Sequence, residues 1–283
     1  MPLLLTIMLF AALGGIASAA LAVVFLWVRE EHSVLILPHL ISFATGALLG
    51  AALLALLPEA IEGAGAGGAH GIGLALIAGL GVFFLIEKLV LWWHAHAHVR
   101  DADAAACPQH ADEVPEAHAA HHRHDPSHAH HARDQASGVL VLVGDSLHNA
   151  LDGALIAAAF LGSARLGVLT TFAVAAHEIP HRVGDFAILV QAGLSRPRAL
   201  LLNLATGIAA VLGAAIAYFA LRQTRHVLPY VLAVAAAGFL YIAVAGLIPG
   251  LHRRADPRTS VTQVIFIAAG IAAIAVAERL SGQ

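Results

Sequence analysis

Asp145-Ser146-Leu147-His148-Asn149-Ala150-Leu151-Asp152-Gly153 and His177-Glu178-Ile179-Pro180-His181-Arg182-Val183-Gly184-Asp185 are two polar phrases set in apolar text. The first lies inside the run Gly138–Leu161, the second inside Leu166–Ala192. Each run has about the 20 residues that a helix needs to cross a bilayer. In hydrocarbon every ionisable side chain is expensive, so such residues mark an ion path or a ligand site. Both phrases are rich in His and carboxylate, types that bind divalent metals. Two such runs in succession point to a helical membrane protein that moves a transition-metal ion.

The text around them agrees. The 283 residues are 59% hydrophobic and 12% charged, with a mean hydropathy of +0.82. A soluble domain is nearer half apolar and a quarter charged. Eight spanning helices are predicted, over Leu3–Val28, Val34–Leu57, Gly71–Trp93, Gly138–Leu161, Leu166–Gln191, Ala199–Leu221, Val227–Leu251 and Val261–Ala277. No alternation of the β-barrel kind occurs, so the fold class is an all-α integral membrane bundle, with many small residues to let helices approach closely. Leu3–Phe10 followed by Ala17-Ser18-Ala19 imitates a signal peptide, but no Lys or Arg precedes Arg29 and the run is too long for an h-region. It is read as the first span.

Charge in the connections sets the orientation. With the N-terminus outside, cytoplasmic connections hold ten basic residues (Arg29, Lys88, Arg100, Arg123, Arg133, Arg196, Arg198, Arg253, Arg254, Arg258). The outer side holds four, Arg165, Arg222, Arg225 and Arg279. Both termini are therefore expected outside, in a multi-pass protein of the cell membrane. A net charge of −3 with a single lysine leaves no basic field for nucleic acid. The expected partners are divalent metal ions and the lipid bilayer, and a second copy of the chain is the one protein partner left open. Cys107 is the only cysteine, so no intrachain disulfide exists and the redox compartment cannot be read from it.

Three parts follow: residues 1–93 with the first three spans, 94–137 as a connection, and 138–283 with five spans and the metal site. The connection holds eleven of the nineteen histidines, among them His94, His121 and His131, spaced by Ala, Asp and Pro without periodicity. Such a tract reads as disordered and cytoplasmic, suited to capturing or sensing metal. No set of four ligands at structural-zinc spacing occurs in it.

Residues four apart share a helix face. His148 and Asp152 point the same way with Asn149 beside them, and His177 and His181 share a face with Glu178 at its flank and Asp185 one turn on. Both sets fall near mid-span, where a transporter holds its ion. If the two helices run antiparallel, Asp152 and His177 lie at one depth and His148 and His181 at another. Nitrogen with carboxylate favours zinc, iron or manganese over the all-oxygen sites of calcium and magnesium. Pro180 removes an amide donor in mid-helix, a defect tolerated where the backbone lines a wet cavity.

His148-Asn149-x-x-Asp152-Gly153 followed by His177-Glu178-x-Pro180-His181-x-x-Gly184-Asp185 resembles the signature of the ZIP (Zrt/Irt-like) metal transporters. The eight-span layout and the His-rich connection extend the resemblance over nearly the whole chain. It implies passage of zinc toward the cytoplasm, often with iron, manganese or cadmium. It also implies a binuclear site, with His148, Asp152 and His181 on one ion and Asn149, Asp152, His177 and Glu178 on the other, Asp152 bridging. Asn203 matches the family's polar position in the sixth helix. The chain departs from the pattern at Ala55, at Arg182, where many relatives carry Glu, and at Pro249-Gly250. The competing reading is an intramembrane zinc metalloprotease, because His177-Glu178-Ile179-Pro180-His181 fits H-E-x-x-H. Pro180 inside the pentapeptide argues against it.

Overall fold

A computed structural model describes residues 2–20, 30–105, 126–252 and 257–281. Among them every regular element is helical and no strand occurs. Helix α1 (Pro2–Ala12) runs on through a π-helical stretch, Leu13–Ala17. Helix α2 (Glu30–Gly50) continues through π-helical Ala51–Leu56 into α3 (Leu57–Ala64). Then come α4 (Ala69–Ala105), α5 (Pro126–Gly162), α6 (Ala164–Gln191) and α7 (Arg196–Leu221). A turn at Arg225–Val227 leads into α8 (Leu228–Tyr241), π-helical Ile242–Leu247 and α9 (Ile248–His252), and α10 (Pro257–Ser281) closes the chain.

Six segments have the length and hydropathy of a membrane span: Pro2–Ala20, Ile36–Ala64, Ala69–Leu89, Arg196–Leu221, Arg225–His252 and Thr259–Leu280. The sequence led us to expect eight. The other two, α5 and α6, are long enough at 37 and 28 residues, but they are the helices that hold the polar phrases, and their ionisable side chains lower the mean hydropathy. Helix α4 runs on to Ala105 and α5 begins at Pro126, so helical backbone enters both ends of the His-rich connection. Residues 106–125 lie outside the described residues.

The bundle is sided as a membrane protein is. Leu74, Ile77 and Leu85 of α4 and Ile208, Leu212 and Ile216 of α7 are each more than half exposed. Apolar side chains in such rows face lipid at no penalty, whereas every backbone polar group there must be satisfied within its own helix. The interior is made of Ala, Gly and a few large residues, with Ile156, Ala157, Ala158 and Ala159 of α5 fully buried.

Small residues position the helix that carries the first polar phrase. A Cβ added at Gly153 of α5 would sit 1.8 Å from the Ala210 carbonyl oxygen of α7, and one at Gly213 of α7 would sit 2.0 Å from the Ala150 carbonyl oxygen of α5. The two backbones are therefore in direct contact, the close approach that glycine permits between membrane helices. Helices α2 and α10 meet the same way, with Gly46 against the Ile267 carbonyl oxygen at 2.0 Å and Gly270 against that of Phe43 at 2.2 Å. Between α5 and α6 the chain turns within Gly162 and Ser163, whose hydroxyl accepts from the Leu166 amide at 3.1 Å and caps α6. That tight turn makes α5 and α6 antiparallel neighbours and sets the two phrases against each other.

Candidate metal centre

His148 and Asp152 stand one turn apart on α5, and His177 and Glu178 face them from α6. His148 Nε2 lies 3.3 Å from His177 Nε2, 3.7 Å from Asp152 Oδ2 and 3.5 Å from Glu178 Oε1. His177 Nε2 lies 3.3 Å from Asp152 Oδ2 and 3.9 Å from Glu178 Oε1. Four ligands placed tetrahedrally around zinc at bond lengths of 2.0–2.1 Å would be separated by roughly 3.3 Å. These five edges are at or above that spacing and all four atoms lie within 4.8 Å of one another, so one ion fits among them after a contraction.

The donor chemistry suits a cation as well. His177 Nδ1 lies 3.2 Å from the Ala173 carbonyl oxygen. A carbonyl only accepts, so the ring proton sits on Nδ1 and the Nε2 lone pair points into the cluster. Asp152 Oδ2 and Glu178 Oε1 are buried oxygens with no hydrogen-bond partner among the described residues. Unpaired buried carboxylate oxygens are costly unless a positive charge meets them. Asp152, His177 and Glu178 are at most 2% exposed, while His148 is 24% exposed and opens the cluster on one side.

A second group lies one turn away. His181 Nδ1 is 2.9 Å from Asp185 Oδ2 and 3.8 Å from Asp145 Oδ1. The His181 ring stacks on that of His148 with centroids 5.3 Å apart, so the two groups adjoin. His181 is 43% exposed. It borders a cavity of about 560 Å³ that also touches Asp145, His148, His177 and Asp185 and reaches Glu87 and Tyr241. Tyr241 donates to Glu87 across that far end. Helix α6 passes unbroken through Pro180, which lines the same cavity.

Arg182 holds the back of the site and is fully buried. Its Nε donates to Glu178 Oε2 at 2.9 Å and its Nη2 to Asn149 Oδ1 at 2.6 Å. Nη1 faces Asp145 Oδ2 at 3.4 Å, Asn203 Oδ1 at 3.0 Å, the Asn203 carbonyl and the Thr206 hydroxyl. Asn203 Nδ2 returns a bond to the Arg182 carbonyl at 2.9 Å, and Asn149 Nδ2 donates to Asp145 Oδ1 at 2.9 Å.

The residues expected from sequence thus fall into three places. His148, Asp152, His177 and Glu178 converge; His181 joins Asp145 and Asp185; and Asn149 and Asn203 turn their oxygens to Arg182. Asp145, Asp185 and Arg182 stand within the two phrases, but the set of ligands expected from sequence does not include them. For Asp145 the spacing was informative, since it stands four residues before Asn149 and seven before Asp152 on one face of α5. The H-E-x-x-H reading fares poorly, because its two histidines belong to different groups and its glutamate stands among the ligand atoms.

A family model described as ZIP Zinc transporter matches residues 2–278. Zinc transporter ZIP13 of Homo sapiens is 35% identical over 267 residues, covering 86% of this chain and 71% of that protein. Zinc transporter SLC39A7 of Rattus norvegicus is 32% identical over 335 residues, covering 94% of this chain and 72% of that protein. A ZIP13 homolog from Drosophila melanogaster is 32% identical over 273 residues, covering 85% and 77%. With the match running almost from end to end and the His–carboxylate cluster buried among apolar helices, the chain belongs to the ZIP family, whose members are transporters and not enzymes.

Proposed function

We propose that this protein carries zinc across a membrane toward the cytoplasm, with the ion resting between His148, Asp152, His177 and Glu178. The observation that carries the reading is the set of edges between 3.3 and 3.9 Å joining these ligand atoms, two of them unpaired buried oxygens. His181 with Asp145 and Asp185 is the next station along the cavity. Asn149 and Asn203 act behind the ligands. Iron, manganese and cadmium as divalent ions meet acceptable nitrogen and oxygen donors in the same cluster.

In this reading all eight helical segments cross the membrane. Helices α5 and α6 do so despite their ionisable residues, because those residues face one another in the bundle instead of lipid. The ten-to-four distribution of basic residues supports external termini and a cytoplasmic His-rich connection. The test is zinc entry into proteoliposomes that hold the purified protein and a trapped zinc-sensitive dye, with iron, manganese and cadmium as competitors. Zinc entry no faster than into protein-free liposomes would overturn the reading.

A further inference from the structure

We propose that Arg182 is a tethered cation standing where a second metal ion would stand, so that the His148–Asp152–His177–Glu178 cluster holds one divalent ion and holds it loosely enough to release it. The inference rests on that cluster being the ion site and concerns how many ions it takes and how tightly.

The guanidinium has five N–H donors and no acceptor. The oxygens around it come from Glu178, Asn149, Asn203, Asp145 and Thr206, on three helices. Carboxylate, amide and hydroxyl oxygens in such a shell are the ligands a hard cation takes. Asn149, which the family resemblance assigns to metal, and Asn203, at the family's polar position in the sixth helix, here accept from Arg182. Glu178 is divided between the two positions, with Oε2 on Arg182 and Oε1 among the histidines. One carboxylate thus spans the guanidinium and the ion position, as a bridging ligand spans two metals.

A second ion in that shell would meet a buried positive charge with no room to leave. The same charge repels the ion in the neighbouring cluster. Two imidazoles and two carboxylates, three of the four residues almost fully buried, would otherwise make a deep trap, and a transport site must bind weakly enough to let its ion go.

The full-length protein is crystallised with cadmium and anomalous difference maps are collected at a wavelength where cadmium scatters anomalously. Wild type should show one peak among His148, Asp152, His177 and Glu178 and none between Asn149 and Asn203; Arg182→Glu should show both. A peak between Asn149 and Asn203 in wild type overturns the proposal, as does a correctly folded Arg182→Glu with no peak there. Absence of any wild-type peak at the four-residue cluster would instead remove the reading of the ion site itself. Zinc uptake kinetics give a second readout that does not require Arg182→Glu to fold. Arg182→Gln should lower KM about tenfold and lower the maximal rate, whereas Arg182→Lys should keep the wild-type KM. A purely structural role would lower the maximal rate with KM unchanged in both variants, and that pattern would overturn the proposal.

Discussion

Replacing Asp152 should damage transport more than any other single change. Its Oδ2 lies 3.3 Å from His177 Nε2 and 3.7 Å from His148 Nε2, so it borders the same space as both imidazoles. Glu178 shares its charge with Arg182 through Oε2, which leaves Asp152 as the undivided negative charge in the cluster. A unit charge about 3 Å from a divalent ion, at an effective dielectric constant of 20, contributes roughly 11 kcal/mol. Most of this is offset by the hydration that both partners give up. If one quarter survives, about 2.8 kcal/mol, binding weakens about a hundredfold on its loss. Asp152→Asn keeps the volume and removes the charge, so it should weaken zinc binding at least about a hundredfold on this arithmetic. Asp152→Ala, which removes the ligand too, should abolish uptake. Insertion and folding should survive, since a neutral amide is easier to bury than a lone charge. Uptake of radioactive zinc into proteoliposomes, normalised to inserted protein, reads the effect. Asn149→Ala and Asn203→Ala serve as comparisons and should weaken uptake or alter ion preference without ending it. Near-normal uptake by Asp152→Ala, with His148 and His177 intact, would refute the reasoning.

Three further outcomes are expected. A membrane-impermeant thiol reagent should leave Cys107 unlabelled in intact cells and label it after permeabilisation; strong labelling of intact cells would invert the orientation. Deleting His110–His131 should leave zinc uptake largely working while changing its response to metal concentration, because the excised stretch lies outside the spans; an inserted deletion protein with no uptake would contradict this. Gly153→Val and Gly213→Val should each destabilise the bundle by about 2 kcal/mol or more, the scale of overpacking against atoms that cannot turn aside. Thermal unfolding in detergent should show it, whereas Gly184→Ala, with nothing within 4 Å of the added carbon, should unfold as wild type does.

How much of this was legible from sequence depended on how many helices a feature needs. Pairs within one helix were readable from the spacing of four, as for His148 with Asp152. Pairs between α5 and α6 were readable once the helices were taken as antiparallel: Asp152 lies beside His177 and His148 stacks on His181. Arg182 was visible only as a departure from the family pattern. Its surroundings need a third helix, and nothing local says that α7 delivers Asn203 and Thr206 to the guanidinium. His181 was grouped with His148 and Asp152 by resemblance, yet its Nδ1 is aimed at Asp185, one turn along its own helix. The hydropathy that identified six spans is the same property that α5 and α6 forfeit by carrying the site. The helical shoulders of the His-rich connection were equally hidden, because alternating His and Ala has no amphipathic period although Ala itself favours helix.

The paired glycine contacts described for α5 with α7 and for α2 with α10 also bear on mechanics. Where carbonyl oxygens of one helix rest on glycines of the next, no side chain lies between them to bend or change rotamer. Each pair is therefore stiff in shear. Elsewhere, as between α2 and α6, where Phe43 meets Phe172 edge to face with ring centroids 6.3 Å apart, longer side chains form the contact and can re-pack. Compliance in this bundle is expected at such seams, and the ligand-bearing α5 should move with α7 as a single lever.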